Sequence, residues 1–365
     1  MTLKEAFAGL PDPRTGPAQR HDLTEMILMA LCAVLCGADS WVDVAEWVED
    51  NEAWLKKYLV LAHGTPSHDT FGRVFRLLDA KVFEVSFRAW IGDLVGAVAG
   101  VVAIDGKTAC GSRDGHNTAL HTISAYATAS GLCLAQEHTR GKGNEIPAIK
   151  ALLDTLALKG CIVTMDAIGC QTEIAQKILD RGGDYLLAVK DNQATLANAL
   201  REFFADGETA GFGALPVDRY QTVEKDHGRI ETRQALWVTD LSWLDRKFRQ
   251  HWPKLAGVGM IERRRELNGT VSIEHACYIG SQGVTTAESF AKAVRSHWGI
   301  ENSLHWVLDV TFREDDCRVR KDHAPHNFAA LRKFALALLR QDTQYPKRSL
   351  RSRRKTADRI PQYRA

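Results

Sequence analysis

The stretch Val101-Val102-Ala103-Ile104-Asp105-Gly106-Lys107 decides the fold class. Four apolar residues, three of them β-branched, run without polar alternation into an aspartate and a glycine. A strand of that composition is buried on both faces, as in the centre of an α/β sheet. An aspartate closing such a strand lies at the sheet rim, where α/β proteins bind ligands. A second run, Cys161-Ile162-Val163-Thr164-Met165-Asp166-Ala167, ends the same way. If the two are neighbours, about 5 Å apart, both carboxylates reach one cation. An Asp-Gly pair alone is an ordinary strand-ending turn, so the pairing needs a third partner.

Arg295-Ser296-His297-Trp298-Gly299-Ile300-Glu301-Asn302-Ser303-Leu304-His305-Trp306 supplies one. The segment reads as a helix with Glu301 as its one carboxylate. His297, Trp298, Leu304 and His305 share its face at i−4, i−3, i+3 and i+4. Three carboxylates suit Mg²⁺, with Mn²⁺ as a substitute, rather than zinc. Held by Asp105, Asp166 and Glu301, two such ions activate a water and steady the leaving oxygen in phosphodiester cleavage. Without a cation, one of the clustered carboxylates would take up a proton near neutral pH. Asp309, Glu314, Asp315 and Asp316 compete for the third place, but the last three read as a solvated loop. Trp298 reads as core packing in preference to a platform for unpaired bases. His297 and His305 have no CxxC or HExxH context that would make them a zinc pair.

A chain of 365 residues with 45% apolar content predicts two or three units and a sizeable core. Its net charge of +2 says little about nucleic acid. The charge is unevenly placed: Lys347, Arg348, Arg351, Arg353, Arg354, Lys355, Arg359 and Arg364 face only Asp358. Residues 343–365 therefore read as a basic tail, either docking on phosphates or solvated and disordered. Eight cysteines without a CxxC pair point to a reducing cytoplasm. The polar N-terminus resembles no signal peptide. The apolar stretch from Leu23 to Cys36 is too short to span a bilayer and reads as a buried helix.

Residues 1–95 read as a helical domain, with helices up to Cys36, from Trp41 to Leu59 and from Thr70 to Leu78. From 96 to 205 the pattern becomes α/β. Strands are expected at 101–105, 120–129 and 132–137, with Ser130-Gly131 as a turn. A helix at 146–156 tolerates Pro147 in its first turn. A strand at 162–166, a helix at 171–179 and a strand at 185–189 follow. Residues 206–285 carry strand-like runs at 234–238, 257–262 and 271–278, with Asn268-Gly269 as a hairpin signal. They read as a β-rich insertion placed before a C-terminal core segment, 286–342, that bears Glu301.

The chain resembles the DDE transposases of bacterial insertion sequences, specifically the ISAs-type, H-repeat-associated group. The resemblance rests on Asp12-Pro13-Arg14, Pro66-Ser67-His68-Asp69-Thr70-Phe71, Arg73-Val74-Phe75 and Ala103-Ile104-Asp105-Gly106-Lys107. It continues through Asn144-Glu145-Ile146, Thr164-Met165-Asp166-Ala167, Gly169-Cys170-Gln171 and His227-Gly228-Arg229. It closes with His297-Trp298-Gly299-Ile300-Glu301-Asn302 and Leu304-His305-Trp306-Val307-Leu308-Asp309. It implies an RNase H-like mixed sheet with Asp105, Asp166 and Glu301 as the catalytic triad. It further implies strand cleavage and strand transfer on double-stranded DNA, at transposon ends and target, by a homo-oligomer. Val294, His297 and Leu308 stand where the broader group carries Tyr, Arg and Lys. Cys110 stands for a usual Arg, and Gly143 for a frequent Ser. Lys107, Lys142, Asn144, Lys190, Asn192, His227, Arg229, His297 and Trp298 are the candidate DNA contacts. A transposition-inactive DNA-binding relative and an RNase H-like nuclease stay open as alternatives.

Overall fold

The computed structural model describes residues 1–113, 118–140, 142–226 and 228–364, with 140, 142 and 226 described by backbone alone. Five helices and a short turn of helix precede the sheet: α1 (Leu3–Phe7), α2 (Leu23–Cys36), α3 (Trp41–Asp50), α4 (Glu52–Leu55), α5 (His68–Leu77) and α6 (Ala80–Val95). Their starts are written in the sequence. Asp22, Ser40, Ser67 and Asp79 each cap the helix that follows by accepting a backbone N–H.

β1 (Gly100–Ala109), β2 (Leu120–Ala127) and β3 (Leu132–Arg140) form an antiparallel meander. After α7 (Glu145–Asp154), β4 (Cys161–Met165) lies parallel to β1. After α8 (Thr172–Asp180), β5 (Asp184–Val189) lies parallel to β4. This is the order that the apolar runs predict.

The insertion does not stand apart from the core. It begins within α9 (Ala194–Ala210), which sequence reading did not anticipate. It continues as β6 (Asp218–Asp226), β7 (Arg229–Val238), a short helix α10 (Arg246–His251), β8 (Gly257–Leu267) and β9 (Thr270–Gly280). β9 pairs antiparallel with β5, so one nine-stranded sheet runs β3-β2-β1-β4-β5-β9-β8-β7-β6. The β8–β9 turn is built on Asn268 (φ 51°) and Gly269 (φ 77°), the two left-handed positions that such a two-residue hairpin needs.

α11 (Ala287–Gly299) and α12 (Trp306–Val310) lead to α13 (Ala324–Gln341), then α14 (Leu350–Arg359) and α15 (Pro361–Arg364). α13 is buried nearly all round, as a helix inside a large core must be. Its Phe334 meets Phe7, Phe83, Phe87 and Trp90 with ring centroids 4.8–5.9 Å apart. The N-terminal helices thus share one core with the C-terminal part of the chain. Among the described residues, no single helix is long and apolar enough to cross a membrane.

The C-terminal region corrects the expectation of a solvated basic tail. Arg353 donates to the carbonyls of Leu339 and Pro346, and Arg354 to those of Val34 and Thr311. Arg364 lies over Trp47 and Trp54. Guanidinium groups can be buried this way because their fixed fork of donors is satisfied by main-chain oxygens.

Candidate active site

Alternation along β1 sends Val101, Ala103, Asp105 and Lys107 to one face. Val101 and, on β4, Ile162 pack there against the cluster around Phe290 of α11. Thr164 of β4 faces the same way, with its hydroxyl 3.0 Å from Nδ1 of His297 on α11. The β1–β4 register pairs Ile104 with Met165. Asp105 and Asp166 therefore stand one step beyond it, side by side where β4 ends. β1 itself runs on to Ala109, so Asp105 lies within its strand and does not close it as the apolar run suggested. Asp166 opens a tight turn, accepting the Ile168 N–H at 3.2 Å.

Glu301 comes from the helix crossing this face. Between α11 and α12 the chain widens into a π-helical segment, Ile300–His305. There the Trp306 N–H reaches the Glu301 carbonyl five residues back. Such turns are rare and recur at functional sites. This one anchors itself with buried Ile300 and Leu304 while Glu301 stays exposed.

The three carboxylates feel each other. Burial pushes the pKa of Asp105 up to about 7; the Gly106 N–H opposes this, and the charges of Asp166, Glu301 and Glu145 add to it. Glu301 is raised by burial and then by Asp166. His305 Nδ1 lies 3.5 Å from Asp105, but burial draws its pKa down to about 3, so the ring is neutral. Burial also lowers the pKa of His297. Hard oxygen donors gathered beside the end of β4 are the donor set for a Mg²⁺-type ion. Their oxygens do not all lie within 4.8 Å of one another; among the described residues only Glu208, Glu262 and His275, on the surface, form such a triple.

The remaining sequence candidates scatter. Lys107 is not free for phosphate: its Nζ lies 2.7 Å from Asp309, 3.2 Å from Glu314 and 3.2 Å from Asp315. That also corrects the loop acids, since Glu314 is buried and Asp309 and Asp315 are half-buried around a lysine. His297 points inward to Thr164 rather than out toward DNA. Asn192 holds the turn after Asp166 by donating to the Ala167 carbonyl at 2.6 Å. Asn144 sits exposed at the start of α7. Lys190 is exposed at the rim, beside Asp166. Arg229 lies 3.6 Å from Glu231 at the end of β7. The Lys142 side chain and His227 lie outside the described residues. Trp298 is 42% exposed, contrary to the core reading, with the Arg263 guanidinium 5.8 Å from its ring centre.

Sequence reasoning missed three features. A cleft of about 1240 Å³ runs from Asp166 and Glu301 across β6–β9, lined by Arg229, Arg233, Arg263 and Arg295. Glu145 adds a fourth acid near Asp105 and is itself 2.9 Å from His121. The π segment leaves no mark in composition. Alternation along β7 and β8 was the one available signal, because it places Arg233 and Arg263 opposite each other on one face.

The chain matches known proteins over nearly its whole length. The Transposase DDE domain family matches residues 71–338, and the DDE_Tnp_1-associated family matches 4–91. The chain belongs to the DDE transposase family. Similar proteins include the putative transposase YncI of Escherichia coli O157:H7, 37% identical over 98% of this chain and 92% of that protein. The H repeat-associated putative transposase YhhI of Escherichia coli K12 is 37% identical over 97% of this chain and 94% of its own. A protein in the dhlA 3′ region of Xanthobacter autotrophicus is 44% identical over 76% of this chain and 94% of its own. A piggyBac transposase in a synaptic complex with hairpin DNA aligns at TM-score 0.41 and 12% identity, covering 98% of this chain and 74% of that one. That likeness is slight, and the RNase H-like assignment of this transposase stands on its family match and sheet order.

Proposed function

We propose that this transposase cuts a DNA strand at the end of its element and joins the freed 3′-OH to target DNA. Asp105, Asp166 and Glu301 are the residues that hold the divalent ions in this reading. The observation that carries it is the convergence of three carboxylates, from β1, the end of β4 and the π segment, with the charges of Asp166 and Glu301 acting on Asp105. Asp105, Asp166 and Glu301 would hold one or two such ions between them. Bound Mg²⁺ would lower the pKa of a water and screen the phosphate.

The side chains around the triad do the rest. Lys190, exposed at the rim, holds a phosphate and so sets the register of the strand without reading its sequence. Arg229, Arg233, Arg263 and Arg295 are paired with Glu231, Glu224 and Glu274 and reach phosphates only by exchanging those partners. Trp298 offers an exposed face on which an unpaired base at the cut end stacks. In hydrolysis, a water oxygen bonds to phosphorus and the 3′ oxygen leaves with a proton. In transfer, that 3′ oxygen bonds to a target phosphorus, displaces a second 3′ oxygen and gives up its proton.

The test is cleavage of a labelled duplex carrying the element's end, in Mg²⁺, by wild type and by Asp105→Asn, Asp166→Asn and Glu301→Gln. Each variant is expected to fold and bind DNA yet lose cleavage. Wild-type rates from any one of them would remove that residue from the triad. No cleavage by the wild type would make the chain a DNA-binding relative of active transposases.

A further inference from the structure

Lys107 is held more tightly than a surface lysine has reason to be. Only 10% of its side chain is exposed, and its partner Glu314 is 6% exposed. Burial favours losing the proton, but Glu314, Asp309 and Asp315 outweigh it and hold the pKa above the ordinary lysine value. Its Nζ lies 2.7 Å from Asp309 and 3.2 Å from both Glu314 and Asp315.

We propose that Lys107 is a positioning residue that sets the separation of Asp105 and Glu301. The inference rests on those two being ligands of the metal site. Lys107 lies two residues beyond Asp105, on the same face of β1. Asp309 lies eight residues beyond Glu301, on the helix that continues from the π segment. One ion pair thus joins the strand carrying the first carboxylate to the helix carrying the third.

The neighbouring backbone reinforces that join. The Cys110 N–H donates to Asp315 at 3.1 Å, and Arg320 donates to the Gly111 carbonyl at 2.9 Å. Gly111 lies so close that a Cβ there would meet the Asp315 and Cys317 carbonyl oxygens at 2.3 and 2.7 Å. On its other flank the same helix is tied to β4 through His297 and Thr164.

The need for such a join follows from the π segment. A π turn is a rare single-turn insertion in an α-helix, and it shifts the register of every residue that follows it. A carboxylate placed on one has to be fixed from outside to within a fraction of an ångström. Outer residues that orient ligands in this way are worth 10–100-fold in metal affinity.

The test uses the full chain with Mn²⁺ alone, followed by the paramagnetic signal of the free ion, together with thermal melting and metal-free DNA binding at several salt concentrations. Lys107→Met is expected to weaken Mn²⁺ binding roughly tenfold or more. DNA affinity and its salt slope are expected to stay at wild-type values. Asp309→Asn leaves Lys107 its other two partners, so it keeps the fold and shifts Mn²⁺ binding the same way by less. A residue with a merely structural role would lower the melting temperature of a folded variant without moving its Mn²⁺ titration.

Wild-type Mn²⁺ binding in a folded Lys107→Met overturns the proposal, and so does wild-type binding in Asp309→Asn if Lys107→Met does not fold. A salt slope reduced by about one with unchanged Mn²⁺ binding overturns it in favour of a phosphate contact. If Asp105→Asn leaves Mn²⁺ binding intact, the metal-site reading fails first, and that variant shows it without any change at Lys107.

Discussion

Replacing Arg354 with methionine separates a folded C-terminal segment from a DNA-binding tail. The Arg354 guanidinium donates to the Val34 carbonyl at 3.1 and 2.9 Å, to Thr311 at 2.5 Å and to Asp39 at 3.1 Å. It also sits 4.5 Å from the centre of the Phe312 ring. Methionine keeps the apolar stem, so the loss falls on the polar partners. Val34, in the last turn of α2, keeps a 3.3 Å hydrogen bond from the Gly37 N–H, so the carbonyl left without a donor is that of Thr311. Each buried acceptor left unpaired costs about 1–3 kcal/mol. Asp39 is 24% exposed and can rehydrate, so its share is discounted. The sum is about 3 kcal/mol, the lower end for breaking a buried charged contact. With 365 residues unfolding at about 2.1 cal/mol/K each, the entropy is about 0.77 kcal/mol/K and the midpoint drops by about 4 °C. Calorimetric melting reads this directly, and DNA binding across salt concentrations runs beside it. An unchanged midpoint with a shallower salt slope would refute the reasoning and return Arg354 to a solvated, phosphate-binding tail.

Three further outcomes follow from local geometry. Burial pushes the Glu84 pKa up to about 7 from its ordinary 4.5, against a 3.0 Å hydrogen bond from the Gln136 N–H. The unfolded chain therefore ionises first, so this group's contribution is full below pH 4.5 and is lost as pH rises to about 7. Glu84→Gln should remove up to about 3 kcal/mol of that decline in melts taken from pH 4 to 8; an unaltered pH profile would mean that Glu84 is ionised when folded. Gly111→Ala places a Cβ against two backbone oxygens that no rotamer can move, and should cost at least about 2 kcal/mol in a denaturant melt. Trp298→Ala should leave stability within about 0.5 kcal/mol while costing about 1–3 kcal/mol in binding to ends with an unpaired base. Equal losses on fully paired DNA would rule out stacking.

The parts of the molecule that were legible are those where apolar periodicity carries the information. Short apolar runs predicted β1, β4 and β5, and the first two carried the aspartates, but bringing Asp105 and Asp166 to one face needed the β1–β4 register. Asn268-Gly269 declared its turn because few residue pairs accept two positive φ values in succession. What stayed hidden is buried charge. α14 has only Leu350, Ala357 and the stems of its arginines to offer as an apolar face, so pattern reading saw a solvated tail. Lys107 looked like a surface cation because its partners lie some 200 residues away. A charge can be buried only when distant groups satisfy it, so its environment is a property of the closed fold and not of its neighbours in the chain. The π segment is hidden for the same reason, since its register is set by what Ile300, Leu304 and His305 pack against. Eight of the nine strands could be read one run at a time, but not β6 or the pairing of β9 with β5 that makes them one sheet. The spacing of its carboxylates depends on Lys107, His297 and a widened helical turn, and each of these acquires its role only after β1, β4 and the last helices have met.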